Sequence, residues 1–247
     1  MMELQDKVIL VTGGGTGIGR ATALMLAARG AVVAINFSRS EKEALETLHQ
    51  IEHLGGRGCA YQADVANEQE VQAMAASIAE AYGTIDGLVN NASITVQIGM
   101  DNLDAVTDEV WDTLFKVNVK GMFHCVRAVV PYMQRQKSGV IVNMGSVAGI
   151  TGIGSSIPYA ATKSAIHTMT KSLAIALSPH IRVNSIAPGA VGTRWWSGNE
   201  ERMHQLAGNL PLRRISTPED IAGAVIFQIT QDSLTGQVLV IDNGQTL

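Results

Sequence analysis

Charged side chains are scarce in this chain of 247 residues, at 16% where an ordinary soluble domain carries about a quarter. Aromatic residues make up only 4%, and 22 acidic against 18 basic side chains leave a net charge of −4. A protein that neutralises phosphates needs the opposite sign, and one that stacks bases needs more rings, so no nucleic-acid partner is expected. No apolar run approaches the ~18–20 residues that cross a bilayer, and the opening MMELQDK has no cationic stretch leading into an apolar one. No membrane association and a cytoplasmic location are therefore expected. Cys59 and Cys125 are the only cysteines and form no Cys-x-x-Cys pair, which reads as two buried, reduced thiols. Without a Pro/Ser-rich linker, charge block, low-complexity tract or solenoid repeat, residues 1–247 are expected to form a single domain.

Hydrophobic residues are abundant, at 46%, and they are ordered. KVILVT (7–12), AVVAIN (31–36), GCAYQA (58–63), IDGLVN (85–90), VIVNMG (140–145), IRVNSI (181–186) and QVLVID (237–242) are short apolar runs. Helical periodicity fills the intervals near 18–29, 41–54, 67–82, 105–136 and 158–178. Strands that read as continuous apolar runs, alternating with amphipathic helices, predict an α/β fold with a doubly wound, seven-stranded parallel sheet buried on both faces. Periodicity fails at about 189–216, which holds Gly189, Gly192, Gly198, Gly208 and Pro211 and reads as a substrate lid.

The first strand runs into Thr12-Gly13-Gly14-Gly15-Thr16-Gly17-Ile18-Gly19. The pattern G-x-G-x-x-G fails in every register, because Ile18 and Arg20 stand where glycine would be needed; T-G-x-x-x-G-x-G is what remains. Glycines between a strand and a helix N-terminus admit a pyrophosphate to the backbone N–H groups and the helix dipole, although they also serve as plain tight turns. Asp64, past the third strand, suits an adenine amino group or the N-cap of the helix near Asn67. At the end of the second strand, Asn36-Phe37-Ser38-Arg39 lacks the carboxylate that holds a ribose 2′-OH. A guanidinium and a hydroxyl there suit a 2′-phosphate, so NADP(H) is favoured over NAD(H), the plain alternative being that Arg39 is merely solvated.

Tyr159 and Lys163 stand four apart in SSIPYAATK, on one helix face, and Ser146 precedes Tyr159 by 13 residues, just past the fifth strand. With Asn118 and the glycine turn, this arrangement resembles the short-chain dehydrogenase/reductase family in its single-domain form, from Lys7 to Leu247. Asn90-Asn91-Ala92, Pro188-Gly189 with Thr193, and Gly236 with Asp242-Asn243-Gly244 extend the likeness. The resemblance implies a Rossmann fold, a homotetramer, and hydride transfer between a nicotinamide and a small-molecule carbonyl or secondary alcohol. It implies Asn118, Ser146, Tyr159 and Lys163 as the catalytic set. Tyr159 would be the general acid/base, Ser146 would hold the carbonyl oxygen, Lys163 would bind the nicotinamide ribose, and Asn118 would anchor a water leading from Lys163 to solvent. Gly13, Thr16, Gly17, Ile18, Gly19, Phe37, Ser38, Arg39, Asp64, Val65, Asn91, Ala92, Tyr159, Lys163, Pro188, Gly189, Val191 and Thr193 would form the cofactor site, with Val191 and Thr193 at the carboxamide. A phenol with pKa near 10 is a poor base at neutrality; a cation about 5 Å away is worth about 3 kcal/mol, so Lys163 is expected to lower Tyr159 by about two units.

Several features compete with this reading or depart from it. His49-Gln50-Ile51-Glu52-His53 matches a zinc-peptidase pattern, but an apolar face of Ala44, Leu45, Leu48 and Ile51 puts both histidines on the solvent side, and no metal site is expected. Trp195 and Trp196 could line a substrate pocket or pack the lid. Ser93 follows Asn-Asn-Ala where the family commonly has Gly, a Ser variant familiar among pteridine reductases and some other members. The broad resemblance is to 3-oxoacyl-[acyl-carrier-protein] reductases, yet Ile175 replaces an Arg that helps dock the carrier, leaving Arg135 and Lys137 as a basic patch. A fatty-acid-synthesis reductase, a non-catalytic nicotinamide sensor and a purely structural oligomer partner are the alternatives.

Overall fold

The computed structural model describes residues 2–198 and 200–247. Seven strands, β1 (Val8–Val11), β2 (Val32–Phe37), β3 (Arg57–Gln62), β4 (Gly87–Asn90), β5 (Gly139–Met144), β6 (Ile181–Pro188) and β7 (Val238–Ile241), form one parallel sheet in the order β3-β2-β1-β4-β5-β6-β7. Every apolar run named above becomes a strand. Successive side chains point to opposite faces, so one continuous run feeds two cores. Ile9, Val11, Val33, Ile35 and Val142 pack on one side; Val8, Leu10, Val32, Ala34 and Ile141 pack on the other. The edge strands depart from the expected full burial, since β3 and β7 are partly exposed. Strand β1 pairs with both β2 and β4, so the winding reverses there and a crevice opens at the carboxyl ends of these strands.

The helices are α1 (Gly17–Ala27), α2 (Glu41–His53), α3 (Glu68–Tyr82), α4 (Asp108–Phe115), α5 (Met122–Arg135), α6 (Ala148–Thr151), α7 (Ile157–Leu177), α8 (Glu200–Asn209) and α9 (Pro218–Thr230). None among the described residues is long and apolar enough to cross a membrane. The helical stretch expected over 105–136 is found over 108–135 and is continuous, but a π-helical turn, Lys116–Gly121, lies within it and joins α4 to α5. Helix α9 escaped the sequence reading because it is apolar on most sides and so shows little periodicity. Its start is marked by a capping box in which Thr217 and Asp220 each bond the other's backbone N–H, with Pro218 in the first turn.

Asn67 caps α3, accepting from the Gln69 and Glu70 amides, so Asp64 does not; Asp64 accepts from Ala66 N at 2.9 Å. On α2, His49 and His53 face solvent as expected, but so does Leu45, and Thr47 is buried in its place. The 100° step of a helix puts residue 47 about 60° from 44 and about 40° from 51, whereas 45 lies about 100° from 44 on the other side. No cluster of three metal-ligating side chains occurs among the described residues. Both cysteines are unpaired; Cys125 is buried and its thiol pushed up to about 12 by desolvation, whereas Cys59 is only half-buried. The segment 189–216 contains a short 3-10 turn, Arg194–Trp196, and α8; Asn199 lies outside the described residues. Its two ends are pinned together by a bridge between Val191 and Ser216, with Gly192 N donating to Ser216 O at 2.9 Å.

Candidate active site

The carboxyl ends of β1 and β4 are tied together by Thr12. Its hydroxyl accepts from the Asn91 and Ala92 amides at 2.9 and 3.0 Å, and Asn91 Nδ2 donates to Thr12 O and Gly13 O. The glycine turn therefore has a fixed floor. Gly13 and Gly17 have φ of +61° and +52°, which side chains rarely adopt. A Cβ on Gly19 would run into the Gly13 carbonyl oxygen and lie 2.6 Å from Asn91 Nδ2. Thr16 occupies the N-cap of α1 without making a side-chain cap bond, and the first turn carries no acid. The turn thus offers free N–H groups, a free hydroxyl and a helix N-terminus with no Cβ in front of them, a cradle that fits a dinucleotide pyrophosphate. Gly19→Ala is expected to shift this backbone, costing about 1–3 kcal/mol of stability and weakening NAD(P) binding at least tenfold. Equilibrium unfolding together with a cofactor titration checks both effects.

At the end of β2, Asn36 is spent on structure, its oxygen facing Gly13 N at 3.4 Å and its amide donating to Ala63 O at 2.9 Å. Phe37 is buried in the core and offers only its backbone, while Ser38 and Arg39 are exposed beyond it. Asp64 is exposed at the end of β3; Val65 is buried against Gly121 of the π-helical turn, and its carbonyl faces His124 Nδ1 on α5 at 3.0 Å. Ile18, in the first turn of α1, packs partly into the core.

The second half of the crevice is built by α7. Ser156 caps it, accepting from Tyr159 N at 3.3 Å, and Pro158 lies in its first turn, so Tyr159 and Lys163 emerge on the buried face. Lys163 is 2% exposed; its Nζ donates to Met144 O at 2.9 Å and lies 5.5 Å from the centre of the Tyr159 ring. Burial lowers Lys163 to about 7. Burial also raises Tyr159 well above its usual range, with the Ser146 hydroxyl beside it pulling the other way. The expected lowering of the phenol by Lys163 is therefore overturned: both groups lie in the same dry site, and desolvation favours the neutral form of each.

Asn118 sits on the π-helical turn with its amide fully engaged. Its oxygen accepts from Ile94 N and Ser93 Oγ at 2.9 and 3.0 Å, and its nitrogen donates to Ile94 O and Thr162 Oγ1 at 3.0 and 3.2 Å. Ser93 is thus a structural partner of Asn118, and buried Thr162 links Asn118 to the helix of Tyr159 and Lys163. Neither partnership was legible in the sequence. A further hydroxyl pair, Thr95 with Ser155, ties the loop after β4 to the loop before α7.

The two tryptophans divide their roles. Trp195 meets Tyr159 edge-on, with ring centres 5.7 Å apart, whereas Trp196 donates from its indole to Val191 O at 3.0 Å and fastens the segment to its own base. Thr193 Cγ2 would lie 3.4 Å from a Cβ on Gly17, so the segment after β6 reaches the glycine turn. Pro188 O accepts from Val147 N at 3.0 Å, joining β6 to the turn that carries Ser146, and Gly189 is packed against Asp242. Arg135 and Lys137 precede β5 and lie at its amino end, the edge of the sheet away from Ser146, which follows the carboxyl end of β5. Ile175, where the resemblance has an Arg, is 80% exposed.

Comparison with known proteins agrees with this geometry. Residues 7–204 match the short chain dehydrogenase family model. The 3-oxoacyl-[acyl-carrier-protein] reductase FabG of Thermotoga maritima is 38% identical over 98% of this chain and 99% of its own length. The short-chain dehydrogenase/reductase homolog YusR of Bacillus subtilis is 60% identical over 52% of this chain and all of its own. Among solved structures, levodione reductase superposes with a TM-score of 0.90 at 33% identity, covering 98% of both chains. NAD+-bound xylitol dehydrogenase gives 0.89 at 32%, covering 97% of this chain and 99% of that one. The chain belongs to the short-chain dehydrogenase/reductase family and is an oxidoreductase acting on CH–OH groups and carbonyls with NAD(P).

Proposed function

We propose that the protein is an NADP(H)-dependent enzyme interconverting a carbonyl and a secondary alcohol on a small or medium, fairly apolar substrate, with one domain serving cofactor and substrate. The observation that carries the reading is the convergence of Ser146, Tyr159 and buried Lys163 at the carboxyl edge of the sheet. The bound nicotinamide supplies or takes the hydride. Tyr159, neutral because of its burial, donates the phenolic proton to the oxygen that gains negative charge. Ser146 hydrogen-bonds the same oxygen and holds it beside the phenol. Lys163 supports the forming phenolate with its charge, binds the nicotinamide ribose and replaces the proton. Since the Asn118 side chain is spent, its backbone is the part available to hold a water on the path from Lys163. Val191 N–H, for which no acceptor occurs among the described residues, and Thr193, whose hydroxyl accepts from Trp195 N at 3.4 Å and keeps its own proton to donate, would hold the carboxamide.

Trp195 and the apolar side chains Ile94 and Val96 around Tyr159 support an apolar substrate under a lid formed by 189–216. Exposed Phe123, Ile175, Phe227 and Val240 support burial between subunits of a homotetramer. The two free thiols fit a cytoplasmic enzyme. Ser38 and exposed Arg39, with no carboxylate beside them at the end of β2, support the 2′-phosphate of NADP. Loss of reduced-cofactor absorbance across ketones, diketones, 3-oxoacyl thioesters and pterins, with NADPH and NADH run separately, tests the reading; no oxidation of either cofactor would end it. Arg39→Ala is expected to raise KM for NADPH about tenfold and leave KM for NADH unchanged, and equal effects on both would remove the NADP assignment.

A further inference from the structure

We propose that His167 is a positioning residue of this site: its imidazole is wedged beneath Gly145 and holds the Met144-Gly145-Ser146 turn in register with Lys163. The proposal rests on the reading of Ser146 and Lys163 given above. His167 lies one helical turn beyond Lys163 on α7 and is 8% exposed. Its Nε2 is buried with no hydrogen-bond partner among the described residues. An apolar side chain of similar size would avoid that desolvation, so the ring answers a requirement other than core stability. The requirement is visible at Gly145. A Cβ there would run into His167 Nε2 and lie 2.7 Å from Cδ2, so ring and backbone are in direct contact.

Three consecutive residues are thereby held, two by side chains of α7 and one by the backbone of α6. Lys163 Nζ holds Met144 O at 2.9 Å, the imidazole holds Gly145, and Ser146 Oγ accepts from Ala148 N at 3.1 Å. From the far side, Gly145 N donates to Ile186 O on β6 at 2.8 Å. The turn is clamped between β6 and α7, and removing the ring frees it toward α7. Ser146 Oγ and the acceptor of Lys163 would move with it. Desolvation, with Lys163 and Lys171 nearby, holds the imidazole down to about 4, so no second cation sits beside Lys163.

The test uses the full chain with NADPH and a diketone that the wild type reduces. His167→Ala is expected to lower kcat about tenfold with the NADPH Kd unchanged within twofold, and His167→Gln to recover part of the loss. Gly145→Ala should lower kcat about a hundredfold by pushing against the ring, and Gly145→Ala with His167→Ala should run at least fivefold faster than Gly145→Ala alone. A kcat for His167→Ala within twofold of wild type, or a double variant whose loss is the product of the two single losses, overturns the proposal. If Gly145→Ala does not fold, a folded double variant supports the wedge and an unfolded one refutes it. If the wild type reduces no carbonyl with either cofactor, the proposed function fails; the coupling of the two substitutions in unfolding midpoint still decides whether the wedge exists.

Discussion

Tyr159→Phe is expected to lower carbonyl turnover at least a thousandfold while NADPH affinity stays within about twofold. The substitution removes one oxygen from a buried ring and keeps the ring contacts with Trp195, Ile94 and Val96, so stability should change by less than about 1 kcal/mol. On the proposed mechanism, what disappears is the acid that meets the developing alkoxide, a contribution of about 10²–10⁴ in rate, together with its hydrogen bond to the same oxygen. Single-turnover absorbance at 340 nm reads the chemical step, and cofactor fluorescence reads binding. A Phe variant keeping more than a tenth of the wild-type rate would remove Tyr159 from the mechanism. The wild type should also show a direction in pH. Below about 7, Lys163 is a cation and Tyr159 a neutral acid, the state that protonates an alkoxide, so reduction is favoured there. Oxidation needs the phenolate and should gain as pH rises.

Lys163→Met is expected to make the protein more stable and nearly inactive. Burial lowers the Lys163 pKa from 10.5 to about 7, so between these values the unfolded chain binds a proton that the native chain does not. Native stability should rise as pH goes from about 7 towards 10.5, and below 7 the buried cation costs up to about 5 kcal/mol. Methionine fills a similar volume without charge. It leaves Met144 O without its donor, a cost of about 1–3 kcal/mol, so a net gain of about 2 kcal/mol is expected at pH 6, fading by pH 10. That gain corresponds to a rise in unfolding midpoint of about 4–8 °C. Turnover should fall at least a hundredfold, with weaker cofactor binding. Calorimetry at both pH values checks the sign: a variant less stable than wild type at pH 6 would show that the amine is not held there at a cost. The two predictions together describe a site in which stability is given up for function.

The features most legible in the sequence are those carried by covalent spacing. The glycine turn at Gly13, Gly17 and Gly19 could be placed between strand and helix because such a turn constrains neighbours along the chain. Tyr159 and Lys163 could be placed on one helix face because four residues make about one helical turn. Features that depend on contacts between distant segments were not legible. Nothing local distinguishes Trp195, which meets Tyr159, from Trp196, which bonds Val191. Nothing in Ser93 shows that it serves Asn118, 25 residues away. The histidine one turn past Lys163 looks like any helical histidine until the packing brings Gly145 against it.

The sequence by itself determined the architecture: alternating apolar runs and helices at these lengths bury their surface as a parallel sheet covered on both faces, the motifs mark it as doubly wound, and the low charge follows from having two dry faces to fill. It also determined which side chains are present to move a proton. The tertiary structure decided their protonation. From composition, a lysine near a tyrosine lowers the phenol; in the fold, both are withdrawn from water, and desolvation moves the lysine down and the tyrosine up. That balance depends on the exclusion of water by residues spread from Ile94 to Trp195, a property of the assembled crevice that no segment possesses alone.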